Sequence, residues 1–147
     1  MTKIALETEA VLPYRKTLVD KGEDLEPQTD DAISYAACHT AYQLGAAAIV
    51  AFTSSGSTAR RVAKYRPRAP ILAITPSPEV RRRLFLSWGV CPYEVAEPST
   101  VDELFARGVK LSLETGVAQR GDLIVITAGI PLGIPGTTNL LKVQRLE

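Results

Sequence analysis

"AAAIVAFTSSGSTARR", residues 46–61, is the stretch whose reading decides the fold. Its first eight residues form an apolar run too short for a globular helix, so they read as a buried strand. Thr53, Ser54, Ser55, Ser57 and Thr58 then surround Gly56, and the chain turns abruptly basic at Arg60 and Arg61. Small polar residues end the strand, and the periodic residues after them open a helix from Ser57 to about Tyr65. Strand, short polar loop and helix are the repeating unit of a parallel sheet.

Outward from this unit the same pattern recurs. On the N-terminal side, Thr2 to Tyr14 reads as a short helix ending near Pro13, and DKGEDLEPQTDD (20–31) as a loop. Asp30 or Asp31 is expected to cap the next helix by accepting from its free N–H groups. Ile33, Ala36, Ala37, Thr40, Ala41 and Leu44 follow helical spacing as one continuous face, and Gly45 stops the helix. On the C-terminal side, PILAITP (70–76) is a second buried strand. A helix with Pro78 in its first turn carries Val80, Leu84 and Trp88 on one side. VCPYEV (90–95) is a third strand, placed at a sheet edge by Pro92. Thr100 and Glu103 form a capping box that opens a helix with Val101, Leu104, Phe105 and Val109 on its inner face. GDLIVITAG (121–129) is the fourth strand. The loop IPLGIPGTT leads to a fifth, too soon for a parallel crossover, so that strand is expected to be antiparallel. The whole reads as a single α/β domain, a mostly parallel sheet with helices on both faces.

Composition bounds the class. The chain has 147 residues, 46% hydrophobic and 22% charged, as an ordinary globular domain does. No apolar run reaches the roughly 18 residues that a membrane span needs. Charges interrupt the N-terminus where a secretory signal would be apolar. Cys38 and Cys91 suit buried thiols in a reducing cytoplasm better than a disulfide framework. A net charge of +1 hides an asymmetry, because residues 57–83 hold eight bases and one acid. A basic face can attract an anion, but the plainer expectation is a solvated surface partnered by acids elsewhere. Arg81 to Arg83 have no aromatic platform beside them to suggest nucleic acid. His39 with Cys38 lies in an alanine-rich helix with no second ligand at metal spacing, so core packing is expected and no metal site.

The loop 53–58 lies where ligands collect in open α/β sheets, beyond a strand's carboxyl end and at a helix N-terminus. Unpaired N–H groups, the partial positive charge of the helix end and several hydroxyls make a cradle for a phosphate. Plain capping by Ser55 or Ser57, with no ligand, explains the same residues, and spacing leaves both readings open. The loop lacks the G-K-[ST] of a Walker A motif and has no G-x-G-x-x-G. A second glycine-rich loop, AGIPLGIPGTTN (128–139), also follows a strand, and a loop of this length in a compact domain is more often functional or disordered than idle.

Taken together, T-x-S-G-x-T, Y-R-P-x-A-P, W-G-V and the G-D-L-I-V-I-T-A-G strand before G-T-T-N resemble the C-terminal domain of pyruvate kinase, from about Asp30 to Val143. The N-terminal ALETEAVLPY is similar to the helix that begins that domain. The resemblance implies a three-layer α/β/α sandwich with strand order 3-2-1-4-5, the last strand antiparallel. It implies a domain that does no chemistry but binds a phosphorylated allosteric effector and forms one interface of a homotetramer. The effector loop is then Thr53, Ser54, Ser55, Gly56, Ser57 and Thr58, and the loop that closes over it includes Gly129, Ile130, Pro131, Gly133, Gly136 and Thr137. Serine at 57 and leucine at 104, where some relatives have arginine, favour a monophosphate such as AMP or ribose 5-phosphate over fructose 1,6-bisphosphate. The family's catalytic barrel, with its Mg²⁺ and K⁺ sites, has no match here, so no cofactor and no phosphoryl transfer are expected of these residues. The location implied is the cytoplasm. Two other readings stay open: a stand-alone α/β protein that binds a phosphorylated metabolite, and a purely structural oligomerisation domain.

Overall fold

The computed structural model describes residues 13–23, 27–134 and 137–147. The run 46–53 forms β1 (Ala48–Phe52), buried at all five positions. Ile49 and Ala51 face one core, while Ala48, Val50 and Phe52 face the other. A strand buried on both faces must be apolar throughout, which is why it shows no polar alternation.

Helices α1 (Tyr14–Glu23) and α2 (Thr29–Leu44) precede β1. After it come α3 (Ser57–Lys64), β2 (Ile71–Thr75), α4 (Pro78–Leu84), β3 (Val90–Glu94), α5 (Val101–Glu114), β4 (Leu123–Gly129) and β5 (Thr138–Arg145). They build a five-stranded sheet of order β3-β2-β1-β4-β5. β1 pairs in parallel with β2 and β4, β2 pairs in parallel with β3, and β4 pairs antiparallel with β5. Residues of α1 to α4 join the core on one face, and α5 covers the other. The sandwich is therefore the three-layer one expected. The sheet reverses its winding at β1, with β2 and β3 on one side and β4 on the other. That is the switch point where a crevice opens at the strands' carboxyl ends.

Several local expectations need correction. Residues 20–23 are helical, the last turn of α1, where the sequence reading places a loop. The helix expected from Thr2 falls almost wholly outside the described residues. Neither Asp30 nor Asp31 is the N-cap of α2; Gln28 holds that position without a side-chain bond. Both acids instead face α3. Asp30 pairs with Arg61 at 3.0 Å, and the fully buried Asp31 accepts from the Tyr65 hydroxyl at 2.8 Å and pairs with Lys64 at 3.5 Å. The inner face of α2 is rotated accordingly. Asp31, Ser34, Ala37, Cys38 and Ala41 are buried, while Leu44 is exposed.

His39 is exposed and stacks on Tyr35 rather than packing in the core. Cys38 is buried as expected, and burial pushes its thiol well above the usual range, but Cys91 is exposed on the edge strand β3. Trp88 is half-buried beneath the Arg66 guanidinium. Two of the eight bases of 57–83, Arg61 and Lys64, pair with acids of α2 as the plainer expectation had it. Among the described residues no helix is long and apolar enough to cross a membrane, and no group of three or more His, Cys, Asp or Glu gathers to hold a metal.

Candidate functional site

The crevice is built from chain ends. Phe52 of β1, Ile74 of β2, Ala128 of β4 and Leu104 of α5 supply part of its apolar lining, and it is flanked by loop 53–58 and by the described residues of the second loop, 129–134 and 137. The cavity itself is about 50 Å³, and the space out to its open mouth is about 540 Å³. With one water needing roughly 10–15 Å³, the closed part has room for a few waters or one small anion.

The first loop is shaped by its own bonds. Gly56 takes a left-handed φ of 91° and lets α3 begin at once. Thr53 Oγ1 accepts from the Gly56 N–H at 2.7 Å. The N-cap of α3 is Gly56, with no side-chain cap bond, rather than Ser55 or Ser57; Ser55 Oγ accepts from the Ser57 N–H at 3.4 Å and donates to Ser57 Oγ at 3.1 Å. Thr58 Oγ1 is bonded to Thr138 Oγ1 at 2.6 Å, which ties the start of α3 to the start of β5. Helix geometry leaves the N–H groups of Thr58 and Ala59 without intrahelical acceptors. Those two donors, the Ser54 and Ser57 hydroxyls and the helix-end partial charge are what the loop can offer an anion. Arg60 folds back over the loop, donating from Nη2 to the Ser55 carbonyl at 3.4 Å.

The second loop is pinned rather than free. Asn139 clasps Ile130, its Oδ1 accepting from the Ile130 N–H at 2.9 Å and its Nδ2 donating to the Ile130 carbonyl at 2.7 Å. Thr137 Oγ1 donates to the Ile134 carbonyl at 2.9 Å. The Ile130–Pro131 peptide is cis. Gly129 has no space for a side chain, since a Cβ there would lie 2.5 Å from the Thr137 carbonyl oxygen.

Of the residues singled out from sequence, Thr53, Ser54, Ser57, Thr58, Gly129, Gly133 and Thr137 line one cavity. Ser55, Gly56, Ile130 and Pro131 do not line it and act on the shape of its loops. Gly136 lies outside the described residues. The sequence reading missed Thr138, Asn139 and Glu97. Thr138 and Asn139 are themselves the last two residues of the G-T-T-N stretch, of which the sequence reading takes only Gly136 and Thr137 for the site. Glu97 had no such signal, because the 36 residues of sequence that separate it from Gly133 are closed only by the fold.

Glu97 is carried by a segment held from α5. Thr100 Oγ1 accepts from the Glu103 N–H at 3.1 Å, and Glu103 Oε2 accepts from the Ser99 N–H at 2.8 Å. Arg107 pairs with Glu103 and donates to the Ala96 carbonyl. The Ser99 N–H first, and Arg107 beside it, hold the Glu103 carboxyl below the usual carboxylate range.

Comparison with known proteins bears on this geometry. Residues 31–144 match the family described as "Pyruvate kinase, alpha/beta domain". The chain is 46% identical over 147 residues to a pyruvate kinase of Clostridium acetobutylicum, which is all of this chain and 31% of that protein. It is 46% identical over 144 residues to one of Geobacillus stearothermophilus, covering 98% of this chain and 24% of that one. A pyruvate kinase of Staphylococcus aureus USA300 is 44% identical over 144 residues, covering 98% and 25% respectively. The chain thus spans a quarter to a third of these curated relatives.

Proposed function

The chain belongs to the pyruvate kinase alpha/beta domain family, and from that premise we propose that its crevice binds the phosphoryl group of a small phosphorylated effector, a sugar phosphate or AMP. On this reading the domain senses a metabolite and regulates a pyruvate kinase, while phosphoryl transfer, with its Mg²⁺ and K⁺, belongs to a catalytic barrel of the same enzyme. The assembly is a cytoplasmic homotetramer in which this domain forms one interface.

The observation that carries the proposal is the N-terminus of α3 opening into a cavity at the sheet's switch point, faced by a pinned glycine-rich loop. The free N–H groups of a helix N-terminus are held in place by the helix itself, so binding an anion there needs little reorganisation. A cavity of about 50 Å³ fits the phosphoryl group, and the remainder of an effector reaches towards the open mouth between the loops.

Thermal unfolding with added inorganic phosphate, ribose 5-phosphate or AMP tests this. A ligand at a hundred times its dissociation constant stabilises by about 2.7 kcal/mol. For a domain of this size that is a rise in Tm of roughly 5–10 °C. Gly56→Val, which puts a branched side chain where Arg60 Nη1 would lie 2.7 Å from the Cβ, should abolish the shift. If none of the three compounds moves Tm, the phosphate reading fails. The purely structural reading is then preferred, and the bonds already made by Thr53, Ser55 and Thr58 favour it.

A further inference from the structure

Two electrostatic environments meet in this crevice. Backbone donors and a helix N-terminus stand at loop 53–58, and a carboxylate stands at the other loop. Glu97 is the one charged side chain among the described residues that line the cavity, and no lysine or arginine lines it. Its Oε1 lies against Gly133, where a built Cβ would come within 2.8 Å of it. Among the described residues, no hydrogen bond or ion pair engages this carboxylate. It is not loosely placed, however. Ala96 on one side is held by Arg107, and Ser99 on the other is held by Glu103.

Resting on the reading of loop 53–58 as the phosphate site, we propose that Glu97 sets what the rest of the ligand can be. The ligand is a phosphomonoester whose other end presents hydroxyl or amino donors, and a second phosphoryl group is rejected. A free carboxylate is an acceptor with no donor of its own, so hydroxyls of a sugar or an amino group satisfy it. A second phosphoryl group brought beside it would place like charges together with no cation lining the cavity to offset them. Discrimination then comes from an element that repels the wrong ligand as well as one that holds the right one.

Ribose 5-phosphate and ribose 1,5-bisphosphate differ by one phosphoryl group and make a matched pair for calorimetry on the full chain, with inorganic phosphate as reference. The wild-type chain should prefer the monophosphate by about tenfold or more, the size expected for one like-charge contact at a partly solvated site. Glu97→Gln should leave inorganic phosphate binding unchanged, weaken ribose 5-phosphate by a few-fold and shrink the preference about tenfold. Glu97→Lys should reverse it. Glu97 is exposed and outside both cores, so the Tm of each variant without ligand should match the wild type. If Glu97→Gln leaves the ratio of the two affinities within about twofold of wild type, the proposal is overturned while the phosphate site stands. If inorganic phosphate and both sugars fail to bind the wild-type chain, the site and the proposal fall together.

Discussion

Gly129 is where β4 passes closest to the loop it feeds. A Cβ there would meet the Thr137 carbonyl at 2.5 Å and its carbonyl carbon at 2.9 Å, both backbone atoms that cannot swing aside. Gly129→Ala should therefore cost about 1–3 kcal/mol of stability through forced backbone movement, measured by urea denaturation. A cost below about 0.5 kcal/mol, the usual range of a surface substitution, would show that the junction yields freely. The same scale explains why Asp31 was misread. An aspartate near a helix start looks like a cap, and only the fold brings the Tyr65 hydroxyl and Lys64 to it across the α2–α3 contact.

At the scale of elements, α5 is the best supported by its sequence. Thr100 caps it as the T-x-x-E spacing predicts, although the reciprocal bond from Glu103 goes to the Ser99 N–H rather than to Thr100. The Glu103 carboxyl is held below its usual range, so the folded state favours its ionised form. Its stabilising contribution is fully present above the unfolded-state value and is lost as pH falls through the lower folded-state value. Glu103→Gln keeps a hydrogen-bonding side chain without the charge. The wild type should thus exceed the variant in urea midpoint near neutrality, and the gap should close as pH falls through and below the ordinary glutamate range, about 4.3. A gap that stays constant over that range would sink the assignment. The difference should be modest, because the side chain is exposed and solvent screens it.

At the scale of the molecule, the sheet is sandwiched unequally. Among the described residues, four helices contribute to the core on one face and α5 alone covers the other, where Leu104 is 1% exposed and also meets the crevice. Leu104→Ala should cost about 2–5 kcal/mol, since little else can collapse into the gap. Denaturation should show the midpoint falling with an unchanged slope, the mark of a stability change alone. A much smaller loss would mean that α5 settles inward and that the cavity changes shape with it.

Much of this was legible in one dimension. Runs such as AAAIVAFT and PILAITP become strands because only continuous apolar runs suit a sheet buried on both faces, and β3 lies at an edge because Pro92 cannot donate to a ladder. Loops 53–58 and 129–137 could be singled out because strand ends and glycines are local features. Which face of α2 turns inward was not legible, because Ala-rich helices carry little hydrophobic contrast and the buried Asp31 is set by its partners on α3. Nor could spacing reveal Glu97 beside Gly133: the crossover through α5 carries the chain from β3 to β4, on the far side of β1, and only that topology makes them neighbours.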